Sequence, residues 1–214
     1  MSSRRDLLEQ VAREIASLGK RATIAVDGVD GSGKTSFADE LAPMIERHGR
    51  PVIRASVDGF HNPREIRYRR GKDDPEGFFR DSYDYDSLRR HLLDPFGRGA
   101  AWVDVARFDH RADREAVSTR KAEPSAVLLL DGISLHRDEL RDHWDYSIFL
   151  AVPFAVSYAR MAQRDGSNPD PSAPENRRYY EGQIIYFQTC QPQKRATVII
   201  DNSCLEAPRL VNVL

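Results

Sequence analysis

The stretch Gly28-Val29-Asp30-Gly31-Ser32-Gly33-Lys34-Thr35 fits the spacing G-x-x-x-x-G-K-[ST]. Glycines so placed let a backbone curl until successive N–H groups point inward at a polyphosphate. A helix starting near Lys34 would add the positive end of its dipole. Lys34 would reach the outer phosphates, and the Thr35 hydroxyl would ligate Mg²⁺. Gly28, Gly31, Ser32, Gly33, Lys34, Thr35 and Ser36 are therefore the candidate nucleotide-binding residues. A chance match in a chain of this size is on the order of one percent or less, so the motif outweighs any other single signal.

Other groups have matching chemistry. Asp131 follows the apolar run Val127-Leu128-Leu129-Leu130 and precedes Gly132, where a carboxylate would share the metal with Thr35. Asp58, within Ser56-Val57-Asp58-Gly59-Phe60-His61, follows a second apolar run and would stand at the carboxyl edge of a sheet, where ligands of α/β proteins bind. A carboxylate there can take the proton of an attacking hydroxyl. Arg160 and Arg164 are four apart on a helix after Val152-Pro153, so both would face one side and neutralise charge on a transferred phosphoryl group. The Pro/Ser/Asn-rich patch Asp165 to Asn176, with Arg177 and Arg178, reads as a lid insert at about 165–178 that excludes water. No Asn-Lys-x-Asp is present, which argues against a guanine-specific site.

These groups need a scaffold, and the hydrophobic pattern supplies one. Leu7, Leu8, Val11, Ile15 and Leu18 recur at helical spacing, with Gly19 as a stop, and Phe37, Leu41 and Ile45 mark a helix after the glycine motif. Ala22–Val26, Val52–Val57, Ala126–Leu130, Tyr146–Val152 and Thr197–Ile200 are short apolar runs that read as strands, with helical patterns between the last three, and Trp102–Phe108 alternates as a half-exposed strand does. Strands alternating with helices predict an α/β domain with a mostly parallel sheet and helices on both faces. Asp58 to Asp81 shows no period and reads as a long functional loop. Tyr85, Leu88, Leu92 and Leu93 suggest a helix that Pro95, Gly97 and Gly99 break.

With 214 residues, one domain over 1–214 is expected. The 40% hydrophobic and 30% charged content excludes disorder, collagen and coiled coil. Lys+Arg 32 against Asp+Glu 33 leaves a net charge of −1, so no global field attracts nucleic acid or an anionic membrane. No apolar run approaches the ~20 residues that span a bilayer, and Met1 to Asp6 lacks a following apolar segment of a secretory signal. Cys190 and Cys204 form no disulfide framework or zinc spacing, and the six His show no metal spacing either. The expectation is a cytoplasmic protein with neither nucleic acid nor membrane as partner. Arg67 to Lys72, flanked by Asp73, Asp74 and Glu76, reads as a solvated loop; Tyr179, Tyr180, Tyr186 and Phe187 read as helix packing, and Trp102 and Trp144 as core or interface residues.

Asp27 to Phe37, Ser56 to His61, Phe108 to Glu115, Val127 to Ile133, and Val152 through the insert together resemble the uridine kinase / phosphoribulokinase-like family of P-loop kinases. The resemblance implies a three-layer α/β/α P-loop NTPase fold with a mostly parallel sheet and a small lid insert. It implies ATP and Mg²⁺ as cofactors and a small-molecule hydroxyl as acceptor, with a pyrimidine nucleoside first among the candidates. Asp58 matches the catalytic Asp opening the family's D-[SG]-F pattern, and Asp131 stands where the family often has Glu. Arg107-Phe108-Asp109-His110 through Arg114-Glu115 is similar to the Y-D-F…R-x-E stretch that helps hold the nucleoside; Phe108 lacks the hydroxyl, and His110 or Asp113 would stand in for the base-contacting His. Asp84, Phe108 and His110 are the expected acceptor contacts. Asp58 to Pro63 and Gly77 to Asp84 also resemble elements of type I pantothenate kinase. Pantothenate, a sugar or a sugar phosphate are thus alternative acceptors, and an ATP-binding regulator without catalysis is the alternative class. Members of such families are often homo-oligomers, although no residue pattern here marks an interface.

Overall fold

Ala22–Gly28 (β1) is buried along its whole length because strands pair with it on both sides. The computed structural model describes residues 3–211, so the first two residues of the Met1–Asp6 segment and the last three of the expected 1–214 domain lie outside the described residues. β1 runs parallel to β5 (Val127–Gly132) and to β6 (Tyr146–Ala151). β2 (Val52–Ser56) joins β5, and β7 (Val198–Asp201) joins β6, both parallel. β8 (Arg209–Val211) adds an antiparallel edge, giving the order β2-β5-β1-β6-β7-β8.

Side chains of a strand alternate between faces, and here the two faces feed two cores. Ile24, Val26, Val127 and Leu129 pack with Leu8, Val11 and Ile15 of α1 (Arg4–Ala16) and Phe37, Leu41 and Ile45 of α2 (Lys34–Arg47). Ala25, Leu128 and Leu130 face the opposite side, which carries α4 (Pro75–Asp81), α5 (Tyr85–Leu88) and α6 (Asp94–Gly97), while α3 (Arg64–Arg67) buries no residue and packs on α4. Each buried Leu or Ile contributes about 1.5–3 kcal/mol by leaving water. α7 (Phe154–Asp165), α8 (Arg177–Cys190) and α9 (Pro192–Arg195) lead from β6 to β7, and residues 166–176 connect α7 to α8. The fold is the predicted α/β class with a mostly parallel central sheet.

Several local expectations are corrected. Trp102–Asp109 (β3) is not in the main sheet. It pairs antiparallel with β4 (Arg114–Lys121), whose charged, exposed residues gave no strand signal. Asp58 to Asp81 is not structureless: it holds a 3₁₀ turn, α3 and α4. The helix opened by Tyr85 is not broken at Pro95, because a π-helical turn at Arg89–Leu93 and a new turn beginning at Asp94 carry it to Gly97. Pro95 follows directly on the π-helical turn, where the regular α-helical bonding is already interrupted. Between β5 and β6 there is a 3₁₀ turn, Arg141–His143, and no α-helix. Trp102 is 61% exposed and so is not a core residue, whereas Trp144 packs on the core and donates to the Leu135 carbonyl.

Candidate active site

The glycine motif occupies the turn between β1 and α2, which aims the first amides of a 14-residue helix at the carboxyl edge of the sheet. Gly31 at φ +71° and Gly33 at φ +89° have the left-handed backbone that only glycine adopts at little cost. A Cβ on Gly31 would also lie 2.5 Å from the Ser157 carbonyl of α7. No side chain caps α2 at Gly33, so its leading N–H groups are left for an anion. Ser32 is fully buried and its Oγ has no protein partner. The Lys34 ammonium turns back to the Val29 carbonyl at 2.8 Å. These features fit a polyphosphate.

The Thr35 hydroxyl donates to Asp131 Oδ2 at 2.8 Å, while Arg54 Nη2 holds Asp131 Oδ1 at 2.8 Å. Asp131 is 2% exposed and hence needs these partners. A hydroxyl and a carboxylate side by side fit Mg²⁺, which takes one or two protein oxygens and completes its shell with phosphates and water. Among the described residues no cluster of three His, Cys, Asp or Glu could itself hold a metal ion. Arg54 escaped the sequence reading, although an Arg inside an otherwise apolar run was the available signal.

A cavity of about 530 Å³ contains this cradle, with Gly31, Gly33, Lys34, Thr35, Ser36 and Asp131 on its wall. Asp58 stands on the same wall, in a 3₁₀ turn after β2, and accepts a 3.1 Å hydrogen bond from the Tyr83 hydroxyl. A second cavity of about 330 Å³ shares Asp30, Asp58, Tyr83 and Tyr179 with the first and adds His61, Arg67, His110 and Arg178. His61 stacks on His110 at 4.4 Å. Burial holds the His61 imidazole below its usual pKa, against the pull of the Asp58 carbonyl and carboxylate. Burial also pushes the Tyr83 hydroxyl well up, and the negative charges of Asp58 and Asp30 add to it, so Tyr83 is a neutral donor. The sequence reading assigned no role to Asp30, His61 or Tyr83; Arg67, read as part of a solvated loop, lines the second cavity, and Tyr179, read as packing, faces both.

Of the remaining candidates, Arg164 lines the first cavity and pairs with Asp165 at 2.8 Å. Arg160 does not line it; its guanidinium donates to the Asn202 and Ser203 carbonyls at 2.8 and 2.9 Å. Gly28 and Ser32 support the turn from behind rather than facing the cavity. Asp84 is turned to its own helix, accepting from the Ser87 amide as the cap of α5, and Phe108 pairs with Glu115 in the β3–β4 hairpin. Neither lines either cavity, whereas His110 lines the second. Asp113, at φ +52°, accepts from the Arg64 amide at 2.8 Å and from Arg67 at 3.2 Å.

A glycine cradle, a Thr–Asp pair and an open carboxylate at the edge of a parallel sheet define a P-loop kinase. Residues 23–170 match the Phosphoribulokinase / Uridine kinase family, and the chain belongs to it. It is 26% identical over 194 residues to a uridine kinase of Lactobacillus helveticus, covering 87% of this chain and 88% of that one. In structure it is similar to a possible uridine kinase from Bacillus stearothermophilus, with a TM-score of 0.74 and 22% identity over 91% of this chain and 97% of that one. The phosphoribulokinase of Rhodobacter spheroides shares the fold at a TM-score of 0.57 and 15% identity, over 85% and 70% of the two chains.

Proposed function

We propose that the chain is one ATP- and Mg²⁺-dependent kinase domain that phosphorylates a hydroxyl of a small molecule, with a pyrimidine nucleoside as the favoured acceptor. The observation that carries this reading is Asp58 in one cavity with Lys34, Thr35 and Asp131. Bound ATP would supply the phosphoryl group, and Mg²⁺ held by Thr35 and Asp131 would draw charge from it. Asp58 accepts the proton of the acceptor hydroxyl, with the Tyr83 hydrogen bond fixing the carboxylate's aim. Lys34, the loop amides and Arg164 stabilise negative charge on the moving group. Residues 165–178 close over the cavity and exclude water. His61 and His110, stacked beside Asp58, are suited to the flat part of an acceptor. The uridine kinase relatives support a nucleoside as that acceptor.

An acceptor bearing an anion, pantothenate or a sugar phosphate, is the second reading. It rests on Arg67, which lines the second cavity with its Nε unpartnered. ADP release should be measured against a panel of nucleosides, pantothenate, sugars and sugar phosphates. Uridine or cytidine should stimulate it about tenfold or more, and stimulation by an anionic acceptor alone would transfer the assignment to the second reading. ATP binding without stimulation by any compound would leave a regulator. Asp58→Asn should cut kcat about 10²- to 10⁴-fold and leave ATP affinity within about threefold; a loss smaller than tenfold removes Asp58 as the base.

A further inference from the structure

Asp30 fills a motif position where the spacing G-x-x-x-x-G-K-[ST] accepts any residue. Its backbone is held on two sides. The Asp30 amide donates to Gln183 Oε1 of α8 at 2.8 Å, and the neighbouring Gly31 packs so closely on the Ser157 carbonyl that no side chain fits there. Asp30 lines both the phosphate cavity and the second cavity, and its carboxyl feels the charges of Lys34, Asp58 and Arg164. Asp58 does the same, so two acidic residues belong to the wall that the two cavities share. Among the described residues, Asp58 has the Tyr83 hydroxyl as donor, while no protein group donates to the Asp30 carboxylate. Burial pushes the Asp30 carboxyl above its usual pKa, Asp58 adds to the rise, and Lys34 and Arg164 oppose it. An acid beside a polyphosphate site, short of donors and near a second acid, costs stability; such an arrangement marks a group that meets a ligand.

We propose that Asp30 is the second acceptor-binding carboxylate: it takes a hydrogen bond from a hydroxyl of the acceptor other than the one phosphorylated. The acceptor is then a polyhydroxyl compound, such as a ribosyl group, gripped at one hydroxyl by Asp58 and at another by Asp30. This rests on the kinase reading above, and it makes Asp30 a specificity residue of the same site.

Binding and turnover separate the two ideas. Uridine, 2′-deoxyuridine and 3′-deoxyuridine should be titrated calorimetrically into the parent, Asp30→Asn and Asp58→Asn proteins, each holding a non-hydrolysable ATP analogue. The parent should bind uridine about 10- to 100-fold more tightly than at least one deoxy analogue, as expected for a hydrogen bond to a charged group. Asp30→Asn should shrink that preference to within about threefold and should bind the ATP analogue as tightly or more tightly, since a negative charge has gone. Asp58→Asn should keep the preference. The proposal is overturned by a parent indifferent to the second hydroxyl, by an Asp30→Asn protein that keeps the preference, or by one that weakens nucleotide and nucleoside alike. It is also overturned if the parent binds no member of a set widened to D-ribose, D-fructose and pantothenate. Hydroxyl-dependent binding through Asp30 without ADP release would keep Asp30 as a hydroxyl-binding carboxylate while removing the kinase reading.

Discussion

Arg160 and Arg164 sit one helical turn apart on α7, yet their guanidiniums meet different surroundings. Arg164 reaches the cavity wall and, among the described residues, has only the exposed Asp165 as ion partner, so its charge is available to a ligand. Arg160 is bound to two carbonyls beyond β7, next to Asn202, whose Nδ2 donates to the Ser32 carbonyl of the cradle. Hydrogen bonds to a charged donor contribute about 1.5–3 kcal/mol. Arg160→Ala should therefore lower the melting temperature by roughly 4–8 °C with kcat changed less than about threefold, whereas Arg164→Ala should lower kcat at least about tenfold with little change in melting temperature. Calorimetric melting beside steady-state kinetics on both variants checks the split, and identical behaviour of the two would refute it.

At the scale of elements, the cradle depends on two helices that are distant in sequence. α7 touches it through Ser157 at Gly31, and α8 touches it through Gln183 at Asp30. Behind it the Asp27 carboxylate accepts from the Gly28 and Leu135 amides at 2.7 and 3.1 Å and lies 2.7 Å from His136 Nδ1. Tyr186 of α8 donates to the same carboxylate, so α8 is joined both to the start of the cradle and to the loop after β5. Gly31→Ala would need φ +71° and would press a methyl against the Ser157 carbonyl. It should weaken ATP binding at least about tenfold and destabilise the fold by about 1–3 kcal/mol, as read by calorimetric titration and urea unfolding. An unchanged affinity would show that the turn tolerates displacement.

For the whole molecule, acid stability follows from a paired carboxylate at the end of α4. Burial pushes the Asp81 carboxyl up, but hydrogen bonds from Arg69 and Arg70 outweigh it and hold the pKa below the ordinary 3.8. A carboxyl depressed on folding contributes stability above its unfolded pKa and loses it as pH falls through the folded value. Asp81→Asn should therefore be less stable than the parent by about 1–3 kcal/mol at pH 7, with the gap closing as the pH approaches about 2. Urea unfolding at both pH values tests this, and a gap independent of pH would exclude the pair as its source.

The cradle from Gly28 to Ser36, Asp131 at a strand end and the parallel sheet were legible in the residues because each is a local property. A glycine turn, a strand–acid junction and an apolar period are set by neighbours in the chain. The β3–β4 hairpin was not legible, since β4 has charged residues on exposed positions and its pairing is decided across the hairpin. Only the tertiary structure sent Arg160 and Asp84 to backbone partners and brought Asp30, Tyr83 and His110 around Asp58. Their meeting depends on how α7, α8 and the segment after β2 pack on the sheet, and no spacing along one strand of sequence encodes a contact made by closing loops of twenty to a hundred and fifty residues.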